Sequence, residues 1–185
     1  MTTSDFIFYT DGSANSQNGL GGWGFIRVDS PFGKILKDES EYGFAPVEET
    51  TNNRMEMIAI LEALKTVPLG SRVTIITDSG YTHQGYTHPS YLDKWIINNR
   101  WKTSTKKDVS NIDLWKQFLL IKQMNMFDLN WIHTRGHSKD KGNPHNPYNE
   151  VVDKLCDYKA VREPNHGIWI SKIDKLVVKH KLEFI

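Results

Sequence analysis

Cysteine is almost missing: Cys156 stands alone in 185 residues. That excludes an intramolecular disulfide and any structural zinc site built from several thiolates. Long apolar runs are missing too, none approaching the ~18 residues of a membrane-spanning helix, so no membrane partner is expected. The chain opens MTTSDFIFYTDGS, with no basic stretch leading into an apolar one. No secretory leader is read there, and the expected location is cytoplasmic. Neither sign of charge dominates, with 23 Lys and Arg against 22 Asp and Glu; polyanion binding would have to come from a local patch. What is plentiful is aromatic: 6 Trp, 7 Tyr and 8 Phe argue for a packed core and against disorder. The length suits one domain with a short appendage.

The hydrophobic period places the elements. Residues 6–10, Phe-Ile-Phe-Tyr-Thr, form a β-prone run halted by Asp11-Gly12-Ser13, and residues 14–22 read as a polar connection. Residues 23–28 and 34–44 are two more strands joined by Ser30-Pro31-Phe32-Gly33, which suggests an antiparallel meander. The period then changes. Met55, Ile58, Ala59, Leu61 and Leu64 form a helical stripe over residues 52–64, with Thr50, Thr51 or Asn52 as N-cap and Pro68 and Gly70 beyond its end. Residues 72–77 are a continuous β-branched strand of the type buried on both faces. Helical segments follow around 79–85, 91–98 and 112–124, then a strand at 127–133, a polar loop at 134–147 and a helix from 149 to about 160. This order implies an α/β fold with a five-stranded mixed sheet and helices packed on it.

Carboxylates punctuate these elements. Asp11 ends the first strand, Glu56 lies one turn into the first helix, Asp78 ends the buried strand and Asp153 opens the helix after the loop. Acids at strand ends of such a sheet project toward one rim, where open sheets bind ligands. Taken singly, Asp11 or Asp78 is a turn former or cap, and Glu56 or Asp153 an exposed helix residue. The conjunction, with its neighbouring words, shifts the balance.

Those words are Tyr-Thr-Asp-Gly-Ser-Ala, Gly-Gly-Trp-Gly, Thr-Thr-Asn-Asn-Arg-Met-Glu, Thr-Asp-Ser, Asn-Ile-Asp-Leu-Trp, Arg-Gly-His-Ser and Asn-Glu-x-x-Asp, in that order. With them the chain resembles type I ribonuclease H, the enzyme that cuts the RNA strand of an RNA–DNA hybrid, from Phe6 to about Ala160. The resemblance implies a ribonuclease H-like fold, antiparallel in its first three strands with helices on both faces. It also implies a catalytic domain at 1–161 and a C-terminal extension at 162–185 packing on or flanking it. It makes Asp11, Glu56, Asp78 and Asp153 metal ligands and His137 the assisting histidine. By the family's pattern Asp11 bridges two ions, Asp153 helps hold the one that activates water, and Glu56 and Asp78 hold the one facing the departing 3′ oxygen. The products would be a 5′-phosphate and a 3′-hydroxyl.

Such a site suits the chemistry. Two hard cations about 3.5–4 Å apart serve both ends of an in-line displacement, and magnesium takes oxygen ligands while keeping several waters. Two magnesium ions are expected with substrate bound, and manganese is an alternative. Four acids clustered without cations would raise one another's pKa values. His137, in a loop, has an imidazole that changes charge near neutral pH, which suits proton transfer or product release; His145 in the same loop competes with it.

The expected partner is the hybrid duplex, bound by a monomer. Gly12, Ser13 and Asn53 lie beside the acids and suit recognition of a ribose 2′-hydroxyl. Thr51 and Asn52 resemble the family's DNA-phosphate pocket at a helix start; helix capping is their plainer role. Residues 94–107 mix cations with two indoles. There Trp101, Lys102, Lys106 and Lys107 suit a nucleic-acid backbone, and Trp95 is core or contact with equal weight. Gly80, after Thr-Asp-Ser, stands where many relatives carry a longer polar side chain. No hybrid-binding module precedes Phe6, which suggests a stand-alone catalytic domain. The tail from Arg162 could pack on the sheet, dimerise or bind a partner; Lys172, Lys175, Lys179, His180 and Lys181 there are a solvated face or added phosphate contacts. Two other readings stay open: a resolvase- or exonuclease-type relative with the same acidic rim, and a non-catalytic hybrid-binding module.

Overall fold

The computed structural model describes residues 5–15, 17, 19–46, 50–87, 89–97, 100–134, 146–159 and 166–185. Five strands form one mixed sheet in the order β3-β2-β1-β4-β5. β1 (Asp5–Asn15), β2 (Leu20–Val28) and β3 (Ile35–Pro46) are the antiparallel meander, and β4 (Arg72–Thr77) and β5 (Asp128–His133) add on in parallel. Parallel addition requires crossovers, supplied by α1 (Asn52–Lys65) before β4 and by α2 (Gly80–Thr87), α3 (Pro89–Ile97) and α4 (Ile112–Asn125) before β5. α5 (Pro147–Leu155) and α6 (His166–Lys179) close the chain.

Side-chain alternation splits the core between the two faces. Phe6 and Phe8 of β1 face a cluster with Leu61 and Leu64 of α1 and Trp115 and Phe118 of α4. Ile7 and Tyr9 face the other way, onto Val151, Val152 and Leu155 of α5 and Ile173 and Val177 of α6. Helices on both faces are thus the direct result of a two-sided β1. Thr51, not Thr50 or Asn52, caps α1, its side chain accepting from Arg54 N at 3.2 Å.

Three expectations need correction. β1 does not stop at Thr10, and residues 14–15 and 20–22 are strand, not connection: the ladder continues through Asp11↔Gly24, Gly12↔Trp23 and Ser13↔Gly22 to Asn15↔Leu20. Turn-forming residues stay in the strand because its neighbours supply the backbone pairing, and tertiary context outweighs local preference. α5 begins at Pro147, not Asn149, with the Asn146 side chain accepting from Tyr148 N; Pro in the first turn gives up no intrahelical bond. Asp153 consequently lies toward the end of α5 instead of opening it. The tail, read only as scattered apolar residues, forms α6. Its last residues then run along the β3 edge, with Ile35 N donating to Glu183 O at 2.8 Å and Ile185 N to Ile35 O at 2.9 Å.

Candidate active site

The strand register carries Asp11 onto the α5 face of β1, opposite the last turns of α5. There a carboxylate oxygen of Asp11, one of Asp153 and the Cys156 Sγ all lie within 4.8 Å of one another. Two glycines make this approach possible. A Cβ on Gly22, paired with Ser13, would overlap the Cys156 carbonyl of α5; one on Gly12 would overlap Glu56 N and the Met55 backbone of α1 on the opposite face. Both helices therefore press backbone against backbone on the sheet, one from each side. Glu56, one turn into α1, and Asp78, just past β4, complete the acidic rim.

The electrostatics show how closely these groups interact. Burial holds the Asp11 carboxyl well above the ordinary carboxylate range, and the charges of Asp78, Asp153 and, least, Glu56 push it further. A 2.7 Å hydrogen bond from Gly12 N to Asp11 Oδ1 opposes the shift without cancelling it. Glu56 is raised as well, first by burial and also by Asp78, against a hydrogen bond donated by Ser79 Oγ to its Oε2. Asp78 receives Asn149 Nδ2 on Oδ2 at 3.1 Å, and its backbone oxygen lies 3.2 Å from His133 Nε2. Burial and then Asp11 and Asp153 push the Cys156 thiol up, keeping it protonated; a protonated thiol is a poor nucleophile.

This donor set fits a hard divalent cation. Carboxylates that raise one another's pKa values are in the state a dication relieves. A second observation agrees: Asn149 is fully buried, yet its Oδ1 has no hydrogen-bond partner among the described residues. Leaving such an acceptor unsatisfied costs about 1–3 kcal/mol, and a water on a bound cation is a donor that would satisfy it.

The other expected site residues divide. His137, like its competitor His145, lies outside the described residues. Gly12 serves the helix approach. Ser13 Oγ donates to Cys156 O at 2.5 Å and accepts from Tyr158 N at 2.9 Å, so the hydroxyl ties β1 to the end of α5. Asn52 Oδ1 accepts from Ala14 N at 2.7 Å, joining α1 to the end of β1, while Thr51, Asn52 and Asn53 all stay exposed. Trp101 is half-buried beside Trp95 with Lys116 Nζ 5.7 Å over its ring, and Lys102 pairs with Asp108 at 2.5 Å. Tyr91, Trp95, Arg100, Trp101, Lys102 and Lys106 line one groove, with Lys106 and Lys107 exposed. Trp95 also packs against the α1-side core, as its core reading expects. Gly80 faces open space.

Sequence reasoning missed Asn149 and the nearness of Cys156. The signal was the i, i+4 spacing of Asn149 and Asp153, hidden once the helix was started at Asn149.

A family model described as RNase H matches residues 3–160. A ribonuclease H of Chlorobium luteolum is 38% identical over 156 residues, covering 84% of this chain and 95% of the relative. One of Wolbachia pipientis is 34% identical with the same coverage of both. Among solved structures, LC9-RNase H1, described as a type 1 RNase H with the type 2 active-site motif, superposes with a TM-score of 0.64 at 23% identity, over 89% of this chain and 75% of that one. The solution structure of the PFV RNase H domain gives 0.61 at 25% identity, over 83% and 93%.

Proposed function

The chain belongs to the ribonuclease H family, and from that premise we propose how its own residues cut the RNA strand of an RNA–DNA hybrid. It is an endoribonuclease acting on such hybrids. Asp11, Glu56, Asp78 and Asp153 are the metal-holding residues of this reading, with magnesium as the preferred ion because all their ligand atoms are hard oxygens. Bound as a pair, the ions would neutralise the scissile phosphate and lower the pKa of the attacking water.

The chain's own residues do the rest. Asp11, buried and under the charges of Asp78, Asp153 and Glu56, would hold the metal together with them. Ser79 holds Glu56 and Asn149 holds Asp78 in one orientation each. His137 moves protons at the scissile site, leaving a 5′-phosphate and a 3′-hydroxyl. Thr51, Asn52 and Asn53 are the exposed surface offered to the hybrid next to the acids, with Gly12 buried against α1 and serving that helix's approach instead, while Trp101, Lys102, Lys106 and Lys107 grip its backbone along the groove beyond α3. The Ser13 hydroxyl acts as a tether rather than a substrate contact. Residues 1–161 are read as the catalytic domain and 162–185 as an extension packed on it.

One observation carries the reading: acids remote in sequence converge at one rim closely enough for the other three to raise the pKa of Asp11. The test is direct. With magnesium, the protein should cut the RNA strand of a hybrid, leave the DNA intact and ignore single-stranded RNA; Asp11→Asn or Asp78→Asn should abolish cutting with the fold unchanged by circular dichroism. Equal degradation of single strands would defeat the substrate assignment.

A further inference from the structure

We infer that Asn149 is a positioning residue of the metal site: its Nδ2 fixes the Asp78 carboxylate and its Oδ1 accepts a hydrogen bond from a water bound to the cation. The inference rests on the metal-holding reading above and extends it to a residue outside the acidic set.

Three observations meet at this side chain. The residue is fully buried, so bulk water does not serve its amide. Nδ2 donates to Asp78 Oδ2 at 3.1 Å, which ties one carboxylate oxygen and leaves the other for a cation. Oδ1 has no partner among the described residues. A buried amide with one end committed to an acid and the other end open is matched to a donor that arrives with the ligand. An acid here would add another negative charge to carboxylates that already raise one another's pKa values. An apolar side chain would free Asp78 to turn. An amide orients without charge, and groups behind the ligands typically govern metal affinity by ~10–100-fold.

Position on α5 makes the arrangement rigid. Asn149 and Asp153 stand four residues apart on one helix face, and that helix is capped by Asn146 and tethered at its other end to Ser13. Displacing Asn149 would displace the helix that carries Asp153.

The test is calorimetric titration of metal-free protein with magnesium and with manganese, for the wild type and for Asn149→Ala, Asn149→Asp and Asp11→Asn. Asn149→Ala should bind either ion about tenfold more weakly, show a smaller rise in melting temperature on adding magnesium, and recover hybrid cutting at high magnesium with KM for the hybrid unchanged. Asn149→Asp preserves shape, so it carries the test should the alanine variant fold poorly. It should likewise bind magnesium with altered affinity at an unchanged KM for the hybrid, a split that a merely structural role would not produce. Magnesium affinity equal to wild type in the folded variants would overturn the inference. Asp11→Asn separates the two levels: if it too binds normally, the metal-holding reading fails, whereas loss there with normal Asn149 variants removes only Asn149.

Discussion

Asp11 is buried at 7% exposure among three other acids, and its elevated pKa links stability to pH. Folding favours its protonated form, so its stabilising contribution is complete below the unfolded carboxylate pKa and disappears as pH rises through the higher folded value. The metal-free protein should therefore gain stability through this residue on acidification from neutral pH, while Asp113, Glu150 and Asp157, all held low by their partners, act oppositely. Comparing wild type with Asp11→Asn by urea unfolding in chelator isolates the Asp11 part: the variant should be the more stable at pH 7, and the difference should shrink toward acid. Tyr86 offers a second residue-scale case. Its ring packs among Trp115, Phe118 and Trp131, and its buried hydroxyl has no hydrogen-bond partner among the described residues. Tyr86→Phe should raise stability by about 1 kcal/mol, readable as a melting-temperature rise of roughly 2–4 °C.

At the scale of elements, the site depends on how α1 and α5 are held to β1. The Arg54 guanidinium grips Asp113 at 3.0 and 2.6 Å, fastening α1 to the start of α4. Ser13 fastens α5 through both a carbonyl and an amide. Ser13→Ala would leave both without their partner, an expected loss of about 1–3 kcal/mol in chemical denaturation. The same variant should need more magnesium for half-maximal cutting, because Asp153 lies one turn before Cys156. Lys106 and Lys107 follow a different rule, being exposed cations of a loop beyond the core. Lys106→Glu with Lys107→Glu should weaken hybrid binding mainly at low salt and flatten the dependence of log Kd on log salt by about one for each phosphate no longer neutralised. A drop of equal size at all salt concentrations would show that these residues act by shape instead.

Across the whole molecule, the C-terminal segment completes the α5-side core. Ile173 and Val177 of α6 pack against the cluster that holds Tyr9, Ile26 and Val151, and residues 183–185 pair with the edge of β3. An open strand edge invites association with other chains, so this pairing also protects the sheet. Ile173→Ala should cost about 2–5 kcal/mol in urea unfolding. Hybrid cutting well below the melting temperature should persist, since among the described residues α6 packs on α5, not on the acids. A catalytic loss without a stability loss would place the tail in substrate binding.

The sequence by itself determined the element order as far as α5 and the mixed sheet, and it singled out the four acids as candidates, because β-branched runs, a helical stripe and short motifs act locally and survive in one dimension. It also put Thr51 among the caps of α1. It placed Asp11 at a strand end and Asn149 at a helix start, and both placements were wrong, since local turn and cap preferences cannot anticipate pairing with Leu20–Gly24 or a cap at Asn146. Only the tertiary structure decided that Ser13 is a tether, that Asn149 reaches Asp78, and that the tail covers the β3 edge. Each of these joins residues many positions apart, and the energy of such an interaction exists only once the sheet has brought its two halves together.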